Sequence, residues 1–262
     1  MSKTICRFLS QTTGAAGYGL IKDGAVFPVS PAQIFDPAPA SVWSVEGLAL
    51  SEVRLLAPVE PSKIVCVGRN YRDHAAELGN PMPDEPLLFL KPPSSMIGHL
   101  DAIELPAVSA RVEHEGELGV VIGRRARRIS DSENALDYVL GYTCVNDVTA
   151  RDLQRRDVQF TRAKSFDTFC PVGPYVVTGI DPLDLGLETR VNGETRQRGR
   201  TAAMAFPVAY LIRYVSHIMT LEAGDVISTG TPAGVGPLSD GDVCEVEVEN
   251  VCTLRNTVRA CV

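Results

Sequence analysis

The chain has 262 residues, a formal net charge of −7 and 45% hydrophobic residues, as expected of a globular protein with one or two domains. The acidic charge argues against general binding to nucleic acids or to anionic membranes. Seven scattered cysteines are typical of free thiols in a reducing compartment, and no apolar run suits a signal peptide or a membrane span. We therefore expect a cytoplasmic protein.

The first 57 residues predict a small N-terminal β module. A turn signal at residues 22–25 separates two apolar strands, 18–21 and 26–29, and predicts a hairpin. Residues 31–44 are rich in proline, alanine and serine and predict a connecting loop. A second proline-bearing linker at 58–62 places the boundary to a larger domain, which would span residues 58–262.

The larger domain is expected to contain many short strands and a few helices. A capping box of Ser130 and Glu133 predicts a helix that runs to about Leu140, and Thr149 is expected to cap a short helix. Asn192 and Gly193 predict a type I′ hairpin. The predicted strands are 64–67, 87–90, 112–123, 141–147, 187–191, 194–197, 225–229, 242–250 and 251–258, and the other helices are 73–78, 149–156 and 206–219. Strands and helices do not alternate regularly, so we predict a mixed, mainly β fold.

Glutamates at residues 113, 115 and 117 share one face of the predicted strand 112–123. Two carboxylates about 7 Å apart along a strand can reach one cation. The alternative is an ordinary strand face exposed to solvent. Glutamates at residues 245, 247 and 249 repeat the same spacing and are expected to lie on such a face. The first triplet, however, precedes a continuous apolar run at 118–122, where a buried carboxylate needs a partner. Oxygen ligands of this kind suit Mg²⁺, Mn²⁺ or Ca²⁺.

Other side chains have weaker signals. His74 and Glu77 are three residues apart on a predicted helix, as in a general-base pair or an ordinary surface pair. Asp147 ends a buried strand, where it could also assist the next helix. Lys164 is a lone lysine of the kind usually found on a surface. The glycine-rich loop 230–236 offers backbone N–H groups to an anion.

Taken together, five segments resemble the motifs of the fumarylacetoacetate hydrolase family, in the family's order. The resemblance extends over roughly residues 58 to 259. The segments are GRNYRDHAAE (68–77), HEGELG (114–119), NDVTARDLQ (146–154), KSFDTF (164–169) and TGTPAGVG (229–236).

The resemblance implies a mixed β-sandwich roll with a few short helices, usually assembled as a homodimer, and a bound Mg²⁺ or Mn²⁺, with Ca²⁺ as an alternative. It implies catalytic roles for a histidine–glutamate pair on a mobile lid and for a lysine. It also implies a 2-oxo or β-diketo acid as substrate. The matching positions are Glu115, Glu117 and Asp147 for the metal, His74, Glu77 and Lys164 for catalysis, and Gln154, Gly230 and Thr231 for the substrate.

Val67 stands where members that cleave fumarylacetoacetate carry a further aspartate ligand. The chain therefore resembles the shorter branch of acylpyruvases and hydroxy-dienedioate isomerases. We expect a metal-dependent hydrolase that cleaves a C–C bond in acylpyruvate-type β-diketo acids, with His74 activating the attacking water. The alternatives are an oxaloacetate-type decarboxylase, a 2-hydroxyhepta-2,4-diene-1,7-dioate isomerase and a catalytically silent binding protein.

Overall fold

A computed structural model describes residues 2–35 and 46–261. The helices are short, and none in these two ranges is long and apolar enough to cross a membrane. They are α1 Pro31–Phe35, α2 Arg72–Glu77, α3 Arg151–Arg156, α4 Thr161–Lys164 and α5 Val208–Ile218. The strands are β1 Thr4–Ser10, β2 Ala16–Lys22, β3 Ala25–Val29, β4 Leu48–Ala49, β5 Val53–Leu56, β6 Ile64–Gly68, β7 Leu87–Lys91, β8 Met96–Ile97, β9 Ala102–Leu105, β10 Val112–His114, β11 Gly116–Ile122, β12 Val139–Asn146, β13 Thr149–Ala150, β14 Cys170–Val177, β15 Gly186–Val191, β16 Glu194–Arg200, β17 Val226–Ser228, β18 Gly236–Pro237, β19 Val243–Val248 and β20 Cys252–Ala260.

These strands form three sheets, which confirms the mixed, mainly β fold. The largest has the order β4-β3-β2-β1-β14-β12-β11-β17-β6-β7, with β5 and β8 attached at its side. A second sheet has the order β16-β15-β19-β20-β9, and a small one has β13-β10-β18. Most pairs are antiparallel, but β6 runs parallel to β17, β8 to β14, and β9 to β20.

The centre of the large sheet is covered on both faces. On β11, Leu118 and Val120 pack in the core cluster shared with β19, β20 and α5, whereas Val121 packs in the cluster on the opposite face. On β6, Val65 and Cys66 divide between the same two clusters. Burial of both faces explains why these strands are continuous apolar runs without alternation.

The N-terminal strands join the large sheet. The predicted hairpin is present as β2 and β3, and β1 pairs with β14 through Thr4 and Ile5. The expected loop at 31–44 was wrong at its start, because residues 31–35 form α1; its remainder lies outside the described residues. The division of the chain at residue 57 stays a prediction.

The predicted strand 112–123 is two strands that belong to different sheets. The chain leaves the small sheet after His114 and enters the large sheet at Gly116. Between them, the Glu115 N–H donates at 2.9 Å to the side-chain oxygen Oδ1 of Asn146 rather than to a backbone carbonyl of a neighbouring strand. The continuous strand was therefore wrong, because strand periodicity carries no information about a change of sheet.

Two predicted helix starts were also wrong. The Glu133 side chain accepts from the Ser130 N–H at 3.0 Å, as a capping box requires. However, only a 3₁₀ turn at Ala135–Tyr138 follows, and Leu140 lies in β12. Thr149 lies in β13, and its hydroxyl donates to the Asp147 carbonyl at 2.8 Å instead of capping α3.

Candidate active site

Three buried carboxylates converge where β11 and β12 end side by side. Glu115 lies just before β11, Glu117 lies on it, and Asp147 follows β12 directly. The register pairs Gly116 with Asn146, and the Asp147 N–H donates to the Glu115 carbonyl at 2.8 Å. One carboxylate oxygen from each acid lies within 4.8 Å of those of the other two. The three predicted metal ligands therefore form one cluster.

Two buried cations compensate Glu115. The Lys164 ammonium on α4 lies 2.8 Å from Glu115 and 2.6 Å from Asp147. Arg151 on α3 contacts the other oxygen of Glu115 and, at 2.6 Å, the carboxylate of Glu113. Burial alone would raise the pKa of Glu115, but Lys164 and Arg151 outweigh it and hold that pKa well below its ordinary value. Lys164 is therefore buried and not a surface residue. Glu113 lies outside the carboxylate cluster, paired with Arg151 and with Arg111.

Glu117 is the undercompensated member of the cluster. It accepts hydrogen bonds from the Ser228 hydroxyl at 2.5 Å and the Gly230 N–H at 2.7 Å, and no cationic side chain of the described residues pairs with it. Burial, followed by the charge of Asp147, raises the pKa of Glu117 to about 8. A divalent cation would supply the missing positive charge, and three oxygen donors suit Mg²⁺, Mn²⁺ or Ca²⁺. The residues present therefore fit such an ion.

The sequence analysis did not identify Lys91. This fully buried lysine ends β7 and donates to Asp147 Oδ1 at 2.5 Å and to the Val148 carbonyl at 3.0 Å. Both oxygens of Asp147 thus contact a lysine, since Lys164 contacts the second. The sequence does contain one signal for Lys91, because this charged residue directly follows the apolar run 87–90. A charge that is buried with such a run requires a partner of opposite charge or a hydrogen bond.

His74 and Glu77 lie at the mouth of the same site on α2. The His74 Nδ1 atom lies 3.3 Å from Glu77 Oε2, and His74 is almost completely buried. Glu77 also accepts from the Gly234 N–H at 3.0 Å, which links α2 to the glycine-rich loop. In the described parts of the chain, His74 Nε2 has no protein partner. Closure of this segment on ligand binding stays a prediction.

A cavity of about 260 Å³ connects these groups. Its wall includes the three carboxylates, Lys164 and His74, together with Gln154, Thr231 and Val67. Gln154 is held by a hydrogen bond from Arg151 at 2.6 Å. Gly230 differs from the other predicted substrate-binding residues, since its N–H is already bonded to Glu117. The roles of these residues in substrate binding stay predictions.

Gln197, which the sequence analysis also missed, connects the ligand strand to the glycine-rich loop. Its amide oxygen accepts from the Gly116 N–H at 3.0 Å and from His114 Nδ1 at 3.1 Å. Its amide nitrogen donates to Thr231 Oγ1 at 2.6 Å and to the Pro232 carbonyl at 2.8 Å. The buried Gln197 therefore positions the loop that lines the cavity, and His114 has a structural role.

Replacing Gln197 by Leu should lower the free energy of unfolding by about 3 kcal/mol, because each orphaned buried donor or acceptor costs about 1–3 kcal/mol. Urea unfolding followed by circular dichroism measures this difference. Gln11→Leu is the control, since Gln11 is exposed. Equal stabilities of the two variants would show that the network around Gln197 does not stabilise the fold.

Fold and site together define a mainly β protein in which three buried carboxylates, able to hold a divalent cation, line a cavity. The family model described as fumarylacetoacetate (FAA) hydrolase C-terminal matches residues 63–259. The chain therefore belongs to the fumarylacetoacetate hydrolase family, as the sequence motifs indicate.

Relatives within the family carry several activities in their names. Oxaloacetate tautomerase YisK of Bacillus subtilis is 48% identical, over 80% of this chain and 74% of its own. The mitochondrial oxaloacetate tautomerase FAHD1 of Bos taurus is 45% identical, over 73% and 89%. Among solved structures, the 2-hydroxyhepta-2,4-diene-1,7-dioate isomerase of Mycobacterium marinum is 41% identical, with a TM-score of 0.88 and 98% of each chain covered. The names of these three relatives describe tautomerases and an isomerase rather than C–C bond hydrolases.

Proposed function

We propose that the protein is a divalent-metal-dependent enzyme that interconverts the keto and enol forms of a 2-oxo acid. The observation that carries the proposal is the position of Lys164 and His74 on one cavity with the three-carboxylate cluster. Such a reaction needs a cationic site for the negative charge that develops on oxygen and a base for the proton on carbon. The names of the two tautomerase relatives support this choice.

Glu115, Glu117 and Asp147 would hold the ion. When bound, a divalent cation supplies Lewis-acid stabilisation of negative charge on the carboxylate and keto oxygens of a 2-oxo acid. Lys164 adds a fixed positive charge to the same wall. The charges of Asp147 and Glu115 outweigh the effect of burial and raise the pKa of Lys164, so Lys164 stays protonated and acts electrostatically rather than as a base.

His74 would carry the proton. Glu77 accepts from Nδ1 and so leaves Nε2 as the free lone pair of the neutral imidazole. Nε2 removes a proton from C3 of the substrate, and the electron pair of the C–H bond moves into a C2–C3 double bond. The proton held on Nε2 then passes to the keto oxygen to give the enol, which leaves His74 neutral again. The reverse sequence regenerates the ketone, and no atom is gained or lost. The Gly234–Glu77 hydrogen bond keeps the pair in place over the cavity.

Loss of the ultraviolet absorbance of an enol tests the proposal. The enol of oxaloacetate should disappear faster with enzyme and Mg²⁺ or Mn²⁺ than in buffer, and chelation should abolish the difference. Lys164→Met should lower the rate, because the variant loses the charge on the cavity wall. A rate equal to that of buffer across a panel of 2-oxo acids would overturn the proposal.

C–C bond hydrolysis is the second candidate. A solved relative named as fumarylacetoacetate hydrolase, from Exiguobacterium antarcticum, is 43% identical over 99% of this chain, and the same His74–Glu77 pair could activate a water molecule. Incubation with an acylpyruvate should then release equimolar pyruvate and carboxylic acid. Pyruvate from oxaloacetate without an acid co-product would instead indicate decarboxylation. Enol loss without pyruvate from either substrate favours the tautomerase.

The family resemblance also predicts a homodimer. Light scattering at micromolar concentration should give about twice the chain mass of 28.2 kDa. A mass equal to that of one chain would contradict this prediction. Measurement with and without Mg²⁺ separates assembly from metal binding.

A further inference from the structure

Two buried thiols are in contact between the two larger sheets. Cys144 lies on β12 of the large sheet, and Cys252 begins β20 of the second sheet. Their Sγ atoms lie 3.4 Å apart. The cysteines are all free thiols, and in the described parts of the chain no other two cysteine sulfurs are hydrogen-bonded to each other. This pair therefore marks a place where one covalent bond could join the two sheets.

Backbone groups hold the two thiols against each other. The Cys144 thiol donates to the Cys252 carbonyl at 3.1 Å, and the Cys252 thiol donates to the Gly173 carbonyl at 3.3 Å. Gly173 is itself the partner of Cys144 in the register of β12 and β14. Both cysteines belong to the core cluster that packs against α5. The contact is therefore built by the packing of strands and does not depend on a loop.

The two thiols differ in exposure and acidity. Cys252 is 8% exposed, whereas Cys144 is completely buried. Burial would raise the pKa of the Cys252 thiol, but hydrogen bonds, above all from the Cys144 thiol, outweigh it and lower that pKa. Burial raises the pKa of Cys144 well above its usual value. Because the thiolate is the nucleophile, Cys252 is the sulfur that an oxidant would attack first.

We propose that Cys252 and Cys144 are a redox modification site, at which a hydroperoxide forms a reversible disulfide that joins the two larger sheets and stabilises the fold. This inference is independent of the proposed function. With hydrogen peroxide, the Cys252 sulfur attacks one peroxide oxygen, the O–O bond breaks, and the other oxygen leaves as water with the thiol proton. Cys252 is then a sulfenic acid.

The second step uses the neighbouring thiol. The Cys144 sulfur attacks the Cys252 sulfur, the S–S bond forms, and the S–O bond breaks as the hydroxyl leaves with the Cys144 proton as water. Two thiols are thus oxidised by two electrons in total, and one peroxide is reduced to two waters. A thiol reductant reverses the link by thiol–disulfide exchange. The link would join residues 108 positions apart in sequence, and a cross-link that closes so long a loop restricts the unfolded chain strongly.

Treatment of a Cys261→Ala protein with hydrogen peroxide tests the proposal. This background is chosen because Cys261 is exposed and could couple two chains. Thiol titration in denaturant should show the loss of two thiols, and peptide mapping without reductant should find Cys144 linked to Cys252. Dithiothreitol should restore both thiols. The melting temperature of the linked protein should exceed that of the reduced protein by about 5–10 °C.

Cys144→Ala and Cys252→Ala in the same background should form no such link and show no peroxide-dependent rise in melting temperature. Cys6→Ala is the matched control, because Cys6 is an equally buried cysteine on β1; it should respond to peroxide as the background protein does. Retention of all thiols, oxidation of either sulfur without a link, or a link between other cysteines would overturn the inference. An unchanged or lower melting temperature of the linked protein would overturn it as well, since the link would then not stabilise the fold.

Discussion

Replacing Glu117 by Gln should abolish divalent-metal binding while the protein remains folded. The glutamine oxygen can still accept from Ser228 and Gly230, but the variant loses the carboxylate charge. Even partners outside the ligand shell change metal affinity by about 10–100-fold, so loss of a ligand should weaken it by more than about 100-fold. Calorimetric titration with Mn²⁺ measures the affinity, and urea unfolding verifies the fold.

Glu115→Gln and Asp147→Asn should also weaken metal binding, with a further cost in stability. Each variant loses a charge that contacts buried cations, Lys164 and Arg151 for Glu115 and two lysines for Asp147. A buried cation without its partner is strongly destabilising. Glu117→Gln is therefore the more direct test of the metal site.

Glu247→Gln is the matched control for the metal site. Glu247 belongs to the second group of alternating glutamates, on β19, where its carboxylate lies 2.8 Å from Arg190 on the neighbouring strand. Its side chain is 46% exposed, as an ordinary strand face requires. Unchanged Mn²⁺ affinity in Glu247→Gln is expected. If the Glu115, Glu117 and Asp147 variants also kept the wild-type affinity for Mn²⁺, the carboxylate cluster would not be the metal site.

The second large effect is expected for His74→Ala. If His74 carries the C3 proton, its loss should slow enol–keto interconversion by about 10²–10⁴, the usual contribution of a general acid–base group. Mn²⁺ affinity should not change, because His74 is not a metal ligand in this proposal. Stopped-flow measurement of enol absorbance gives the rate, and calorimetry gives the affinity.

The control is His217→Ala, since His217 contacts the Ile129 carbonyl and lies outside the cavity wall. Glu77→Gln should have a smaller effect than His74→Ala, because it changes the orientation of the imidazole without removing it. A wild-type tautomerisation rate in His74→Ala would exclude the histidine as proton carrier. Loss of acylpyruvate hydrolysis alone in that variant would instead favour the hydrolase.

Much of the local structure was predictable because it depends on short-range patterns. Asn192 and Gly193 both have positive φ, +53° and +80°, as the predicted type I′ hairpin requires. Residues 243–248, in which buried and exposed side chains alternate as predicted, form β19. The continuous apolar run after Glu117 lies in β11, which is buried on both faces. The five motifs and their order indicated the family without any structure, because these segments together carry the residues of one site.

Other features required the tertiary structure. Lys91 meets Asp147 across 56 residues, and Gln197 meets Gly116 across 81. Neither pair has a local signature, since sequence periodicity shows which side chains share a face but not which strands are neighbours. The break at Glu115 has the same cause, because the order of strands in two sheets decides where the chain changes sheet. The amino-acid sequence thus determined which groups could carry the chemistry, and the packing of distant strands determined which of them are buried together and how their charges are balanced.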